Sequence, residues 1–468
     1  MSGPAQSNQT VSATGRVRPF VRGKTGRLGI ATLSNAVARG ASMLVTFLTV
    51  PLVIGYLGPE EYGLWMTVTS LVLMLSSFAD GGVSLGLISA TANAKAKDGD
   101  SAVRGIIGSA AAILILVAII LIATSFAVVP FVPWQWVFNL RSAHLAGEAS
   151  TTVLVIVMSV ALASVANMIL KVRIGLQQLP AVNAWDAAAT ISSIPALLLA
   201  MQMKLAMPWI AAASVGTPLL IKSIGSVLFL HRTPALMPTR EDVNFVTARD
   251  LLARGSVFFL ITLTQAIAIQ SDQVLIARLA DVEQVATYSV VWRLFNIPFL
   301  IANFFLLSLW PAFSDAAARG AYDWVSTVFW RTLWAVTGLG AVLSLALLAF
   351  HKPILAIWVG DRVKPDLLLV AGMTAYAVLA VMVGVCSVLL VSLDIRRLQI
   401  WINMLMVTVN VPLSIILIPK IGAAGAIIGT AVSYLLCMVL PYAVLIPRIL
   451  KNNTSKSVIS LQSRETPV

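Results

Sequence analysis

From Gly105 to Val129 the chain runs 25 residues without one charged side chain. As an α-helix that stretch is roughly 37 Å long, more than the ~30 Å of hydrocarbon in a bilayer. Lipid offers no hydrogen bonds, so a chain that crosses it must pair its own backbone groups, as helices or as a closed barrel. Barrel strands alternate apolar and polar residues over about ten positions. The runs here are unbroken, and similar ones recur along the sequence. Only 11% of the residues are charged and 59% are hydrophobic, whereas soluble domains carry about a quarter charged residues. The expected fold is all-α: a polytopic membrane protein with about twelve transmembrane helices.

The spans are predicted at 28–56, 62–90, 105–129, 149–170, 185–203, 207–230, 255–279, 284–310, 331–351, 366–392, 398–418 and 424–447. Pro and Gly punctuate them, as at Leu57-Gly58-Pro59, Pro130 with Pro133, Pro180, Pro208, Pro234 with Pro238, and Pro419. With the N-terminus in the cytoplasm, 22 Lys and Arg fall on the cytoplasmic side and 7 on the outer side, leaving Arg39, Lys222 and Arg293 inside spans. Positive loops stay in the cytoplasm, so both termini are expected there. The longest charged internal connection follows the sixth span. It divides the chain into a disordered basic tail (1–27), a six-helix lobe (28–230), a cytoplasmic linker (231–254), a second six-helix lobe (255–447) and a cytoplasmic tail (448–468). Two lobes around a central cavity follow from that division. A faint echo between halves agrees with it. Leu57 to Trp65, and Leu279 to Trp292, each place an acidic turn before a Tyr and a Trp, in the manner of transporter repeats.

Ionisable groups within spans cost about 2.5–3.5 kcal/mol each to insert, so they point to function. Arg39 lies in the first span with Asn35, Ser42, Thr46 and Thr49; at helical spacing these share an arc of roughly 80°. The eighth span sets Ser289, Arg293, Asn296 and Asn303 on one side, and the seventh sets Thr262, Gln265 and Asp272 on one side. Lys222 with Ser226, and Asp186 with Thr190 and Ser193, add polar positions to the sixth and fifth spans. The pattern predicts a net cationic cavity between the halves that attracts a phosphate-bearing head group through charge-assisted hydrogen bonds. Each residue also has a bland reading. Arg39 and Lys222 can snorkel to the cytoplasmic surface. Asp272 can neutralise an Arg in a structural ion pair, Asp80 can simply end the second span, and Ser, Thr and Asn can be interhelical glue. Trp134, Trp136, Trp209, Trp310 and Trp358 read as an aromatic belt.

Several function classes are disfavoured. The net charge of +13 is spread over short loops rather than concentrated on a soluble domain, which argues against a nucleic-acid binder. No Walker loop or HExxH occurs. The three histidines, His144, His231 and His351, lie in or beside loops, and the two cysteines, Cys386 and Cys437, lack metal-ligand spacing. The chain is expected to be a transporter without cofactor or metal, not an enzyme.

Ala38-Arg39-Gly40, Pro51-Leu52, Leu57-Gly58-Pro59-Glu60-Glu61-Tyr62-Gly63 and Asp80-Gly81-Gly82 together resemble the opening of bacterial Wzx-type polysaccharide flippases. These are members of the multidrug/oligosaccharidyl-lipid/polysaccharide exporter superfamily. Asp272 through Leu275-Ile276-Ala277 to Tyr288-Ser289 and Arg293-Leu294, then Pro311-Ala312-Phe313-Ser314 and Gly422-Ala423-Ala424-Gly425-Ala426, are similar to its second half. The likeness extends from about residue 28 to 447 and rests on the order of many weak motifs. It departs at Asp80-Gly81-Gly82, where the family usually has Asp-Leu-Gly, and at Asn93 and Lys95, where an Arg is frequent. The resemblance implies two six-helix lobes working by alternating access in the bacterial inner membrane. The implied substrate is an undecaprenyl-pyrophosphate-linked oligosaccharide, moved to the outer leaflet for surface polysaccharide synthesis. Arg39, Arg293 and Lys222 would meet pyrophosphate, Asn35, Asn296 and Asn303 would meet sugar hydroxyls, and Asp272 would couple an ion. Polysaccharide polymerase and glycosyltransferase machinery would be partners beside the lipid bilayer. Two alternatives stand beside this reading. A multidrug or cation exporter would present acids in its cavity. A membrane polysaccharide polymerase would need a large catalytic outer loop, whereas the longest outer stretch, 130–148, carries Arg141, His144 and Glu148.

Overall fold

The computed structural model describes residues 20–80, 82–97, 99–140 and 142–465. The expected tail up to residue 19, together with Gly81, Arg141 and the side chains of Asp80 and Gln265, lies outside the described residues. The helices are α1 Phe20–Asp80, α2 Val83–Lys97, α3 Gly99–Val128, α4 Ala143–Gly175, α5 Leu179–Gln202, α6 Met207–Arg232, α7 Phe245–Leu279, α8 Val282–Phe295, α9 Ile297–Ala318, α10 Tyr322–Trp358, α11 Leu367–Ser392, α12 Arg396–Ile421 and α13 Ala423–Asn452. Short helical turns fill the connections.

Among the described residues, ten segments are long and apolar enough to cross a membrane. One of them covers two crossings, because α1 breaks at Gly58 (φ 80, ψ 170) just before Pro59. An eleventh and a twelfth crossing come from the second limb of α1 and from α7, which is 35 residues long and carries one charged residue, Arg254, between Leu251 and Ile269. The chain is a multi-pass, all-α membrane protein.

Boundaries differ from expectation in four places. The backbone of α1 is already helical at Phe20, inside the stretch expected to be a disordered tail, and the helix of α13 continues to Glu465. Extending a formed helix adds a hydrogen bond per residue, whereas starting one is costly. Helix α7 starts at Phe245, so half of the expected 231–254 linker is helical; Asn244 caps it by accepting from Val246 N at 2.8 Å. The expected 284–310 span breaks at Asn296 into α8 and α9, because Pro298 cannot donate back to the preceding turn.

The two ends of the molecule are packed differently. At the end carrying Gly58, a single apolar core joins both halves: Val53, Tyr62 and Met207 from the first pack with Val282, Phe295 and Met373 from the second. Towards the opposite end, which carries Asp242, the core splits in two. One part is built on Leu87, Ile107 and Phe229, and also takes in Leu251 of α7. The other is built on Phe313, Phe329 and Tyr442. A cleft between the halves therefore opens towards the Asp242 end. On one flank the cleft is closed by backbone contact. A Cβ on Gly63 would meet Val282 O at 1.7 Å, and one on Gly82 (φ +74) would meet Gly255 O at 2.1 Å. Only glycine allows α1 and the start of α2 to lie this close to α8 and α7.

Candidate functional site

On the other flank of the cleft, between the first limb of α1 and the α8–α9 kink, is a cavity of about 300 Å³. Arg39, Ser42, Thr46, Arg293, Asn296 and Asn303 supply its polar lining; Met43, Phe47, Trp292 and Leu300 supply apolar walls. Arg39 is 19 residues before Gly58, so roughly 28 Å of helix separates it from the Gly58 end. It is exposed at the mouth, and its Nε donates to Asn35 Oδ1 at 3.4 Å. The polar stripe of α1 does not glue helices together. Ser42 Oγ donates to Ala38 O at 3.0 Å and Thr46 Oγ1 to Ser42 O at 2.8 Å, each within α1.

Arg293 is half-buried at the deep end. Its Nη1 donates to Tyr62 Oη at 2.7 Å, and its Nη2 approaches Met66 Sδ at 3.3 Å. The second limb of α1 thus fixes a guanidinium carried by the other half. No acid lines the cavity among the described residues, so neither arginine is neutralised there. The remaining N–H groups form a cationic surface suited to a phosphate.

The Gly58 end is sealed above the cavity by contacts between halves. Pro51 has no N–H, so Phe47 O loses its helical donor. Trp358 Nε1 donates to that carbonyl at 2.8 Å, and its ring lies 4.8 Å from the Phe47 ring. Trp358 is therefore more than a belt residue. Trp136, also read as belt, lies 4.1 Å beneath the Arg278 guanidinium, and Asn139 Nδ2 donates to Ala280 O at 2.7 Å. A Cβ on Gly55 would lie 3.6 Å from the Arg362 guanidinium.

Asp272 is buried and is not paired with an Arg. Its Oδ2 accepts from Tyr288 Oη at 2.8 Å and from Thr430 Oγ1 at 2.9 Å, while its Oδ1 has no partner. Thr430 Oγ1 is also 3.1 Å from the Asn410 side-chain amide, which Ser414 Oγ approaches at 3.3 Å. Tyr288 of α8 and Thr430 of α13 thus hold the buried carboxyl group of α7, with Asn410 and Ser414 of α12 behind Thr430. Sequence reasoning found Asp272 and missed Asn410, Ser414 and Thr430, which carry no charge to mark them. Tyr62 and Trp292 were visible only as the Tyr and Trp of the internal echo.

Lys222 and Asn35 do not line the cavity. Lys222 Nζ pairs with Asp186 at 2.9 Å, joining α6 to α5. Asn35 is reached only through Arg39. The structure thus brings together Arg39, Arg293, Asn296 and Asn303, and sets Lys222 and Asp272 apart from them.

Residues 29–317, well over half the chain, match the model of the polysaccharide biosynthesis protein family. The chain belongs to that family. No curated protein sequence matches it. Among solved structures, this family member is similar to an inward-facing multidrug resistance MATE transporter of the MOP superfamily, at 14% identity and a TM-score of 0.67, over 88% of this chain and 99% of that one. It is similar to the lipid II flippase MurJ in an inward closed conformation, at 13% identity and a TM-score of 0.67, over 93% of both chains. An outward-facing MATE structure matches at 12% identity and a TM-score of 0.59, over 94% of this chain and 96% of that one. At these identities the likeness is one of fold: this polysaccharide biosynthesis family member is built like flippases and exporters.

Proposed function

We propose that the protein moves an undecaprenyl-pyrophosphate-linked oligosaccharide from the cytoplasmic to the outer leaflet of the bacterial inner membrane by alternating access. The reading is carried by one observation: Arg39 and Arg293 line a single cavity that contains no acid among the described residues. A cavity of that charge favours a pyrophosphate and repels the cationic substrates of a drug exporter. In this reading the Asp242 end is cytoplasmic, as are both termini. The carrier enters through the cleft, Arg39 meets it at the mouth, and Arg293 holds it at depth. Asn296 and Asn303 meet sugar hydroxyls, and Asn35 orients Arg39. Lys222, held by Asp186, is assigned a structural part in the first half. Asp272 couples an ion to the change of access. Glycosyltransferases would supply the substrate and a polysaccharide polymerase would consume it.

The test is export in cells that depend on this protein. Arg39→Ala and Arg293→Ala should each cut surface polysaccharide by ~10-fold or more, the scale of a lost charge-assisted contact, with protein still in the membrane. Arg293→Lys, which keeps charge but loses the fork, should be intermediate. Normal export by both alanine variants would reject the reading.

A further inference from the structure

Behind the arginine cavity, inside the second half, is a larger chamber of about 480 Å³, within the ~300–1,000 Å³ range of small-ligand sites. Trp292, Asn296 and Asn303 line both spaces, so the two adjoin. Their chemistry differs sharply. The cavity holds two guanidinium groups, whereas no charged residue lines the chamber among the described residues.

Four of the chamber's polar groups are amides. Gln399 and Asn403 sit one helical turn apart on α12 and both face inward. Asn296 and Asn303 face them from the α8–α9 kink. Among the described residues, no hydrogen bond within the protein occupies the side-chain amides of Gln399 and Asn403. Both side chains are half-buried, so their amides stay open to a ligand that enters the chamber. Rings flank the amides: Trp292, Phe299, Tyr376 and Tyr434, the last two 5.3 Å apart edge to face. Amides take hydroxyls in both donor and acceptor roles, and ring faces pack against apolar C–H surfaces. A sugar presents both.

We infer that this chamber is a glycan subsite that takes uncharged sugars and excludes uronic acids. The inference rests on the flippase reading above. A glycan whose pyrophosphate lies on Arg293 has the chamber next to it, beyond Trp292 and Asn296. A carboxylate carried inside would lose its water and find no cation, whereas hydroxyls replace their water with amides. The arginine cavity thus reads the carrier and the chamber reads the sugar.

The test measures binding to the purified full chain in nanodiscs with three probes. These are a short-chain prenyl pyrophosphate without sugar, the same carrier with a neutral disaccharide, and the same carrier with a hexuronic acid disaccharide. The neutral probe should bind ~10-fold more tightly than either of the others. Gln399→Ala with Asn403→Ala should abolish that gain while sugar-free binding is retained, which also shows that the double variant is folded. Arg293→Ala should weaken all three probes alike. Equal binding of the neutral and acidic glycans, or a double variant that keeps the gain, would overturn the subsite while leaving the carrier reading intact. If no probe binds in a manner dependent on Arg39 or Arg293, both fail.

Discussion

A buried carboxyl group with one oxygen occupied by two hydroxyls and the other bare is an unusual thing to keep inside a helix bundle. Asp272 is such a group, and its bare Oδ1 agrees with the ion-coupling part proposed for it. Asp272→Asn preserves the shape and removes the charge. It should leave the protein folded but lower gradient-driven flipping in proteoliposomes by ~10-fold, within the range of ordinary coupling energies. Flipping that still responds fully to an imposed ion gradient would remove Asp272 from that role. The same residue shows what a sequence reveals at this scale. Asp272, Arg39 and Arg293 stand out because an ionisable group in an apolar run is expensive. Asn410 and Thr430, which complete the surroundings of Asp272, are inexpensive residues on distant helices, and nothing local distinguishes them from packing polar groups. Lys222 stands out equally on cost, but its partner Asp186 lies 36 residues earlier, and only the fold shows that the two meet.

At the scale of elements, the spans were legible because each is a long apolar run between Pro and Gly punctuation. Breaks inside spans were harder to place. Pro298 was visible, yet a transmembrane helix can absorb a Pro by bending, and the sequence does not say which way the two segments turn. The connection between halves was half misjudged for a related reason: three of its charged residues, Arg249, Asp250 and Arg254, belong to the first turns of α7. What remains of that connection is pinned to α3. Asp242 accepts from Thr239 N and Thr239 Oγ1, each at 2.7 Å, and from Arg104 Nε at 2.9 Å. The backbone N–H of Thr239, then its hydroxyl and the Arg104 guanidinium, hold the Asp242 carboxyl below the usual carboxylate range. A lowered folded value means that the contribution is fully present above the ordinary Asp value of ~3.9 and is lost as pH falls through the lower folded value. Hydrogen exchange of residues 233–244 should therefore stay slow at neutral pH and accelerate only in acid below that ordinary value. Asp242→Asn should be fast throughout; equal protection of the two proteins at neutral pH would show that the carboxylate does not hold the connection.

At the scale of the whole molecule, one core joins the halves at the Gly58 end and two cores separate them at the other, so a change of access must part the joined end. The bridge from Trp358 Nε1 to Phe47 O is one of the contacts to be broken there. Trp358→Phe keeps a ring but removes the donor, at a cost of about 1 kcal/mol to the closed state, so the population open at the Gly58 end should rise ~5-fold. Distances between spin labels placed on α1 and α10 would report the shift, and unchanged distance distributions would exclude the bridge as a determinant. The carbonyl in that bridge belongs to a helix that can never reclaim it, because the residue one turn later is an imino acid. During opening, the oxygen passes from an indole to solvent, and solvent gets in only once the two surfaces have already come apart. Resistance is therefore concentrated at the start of the stroke and relieved as soon as wetting occurs, which makes the parting a threshold event, either shut or fully sprung, with little reason to linger between.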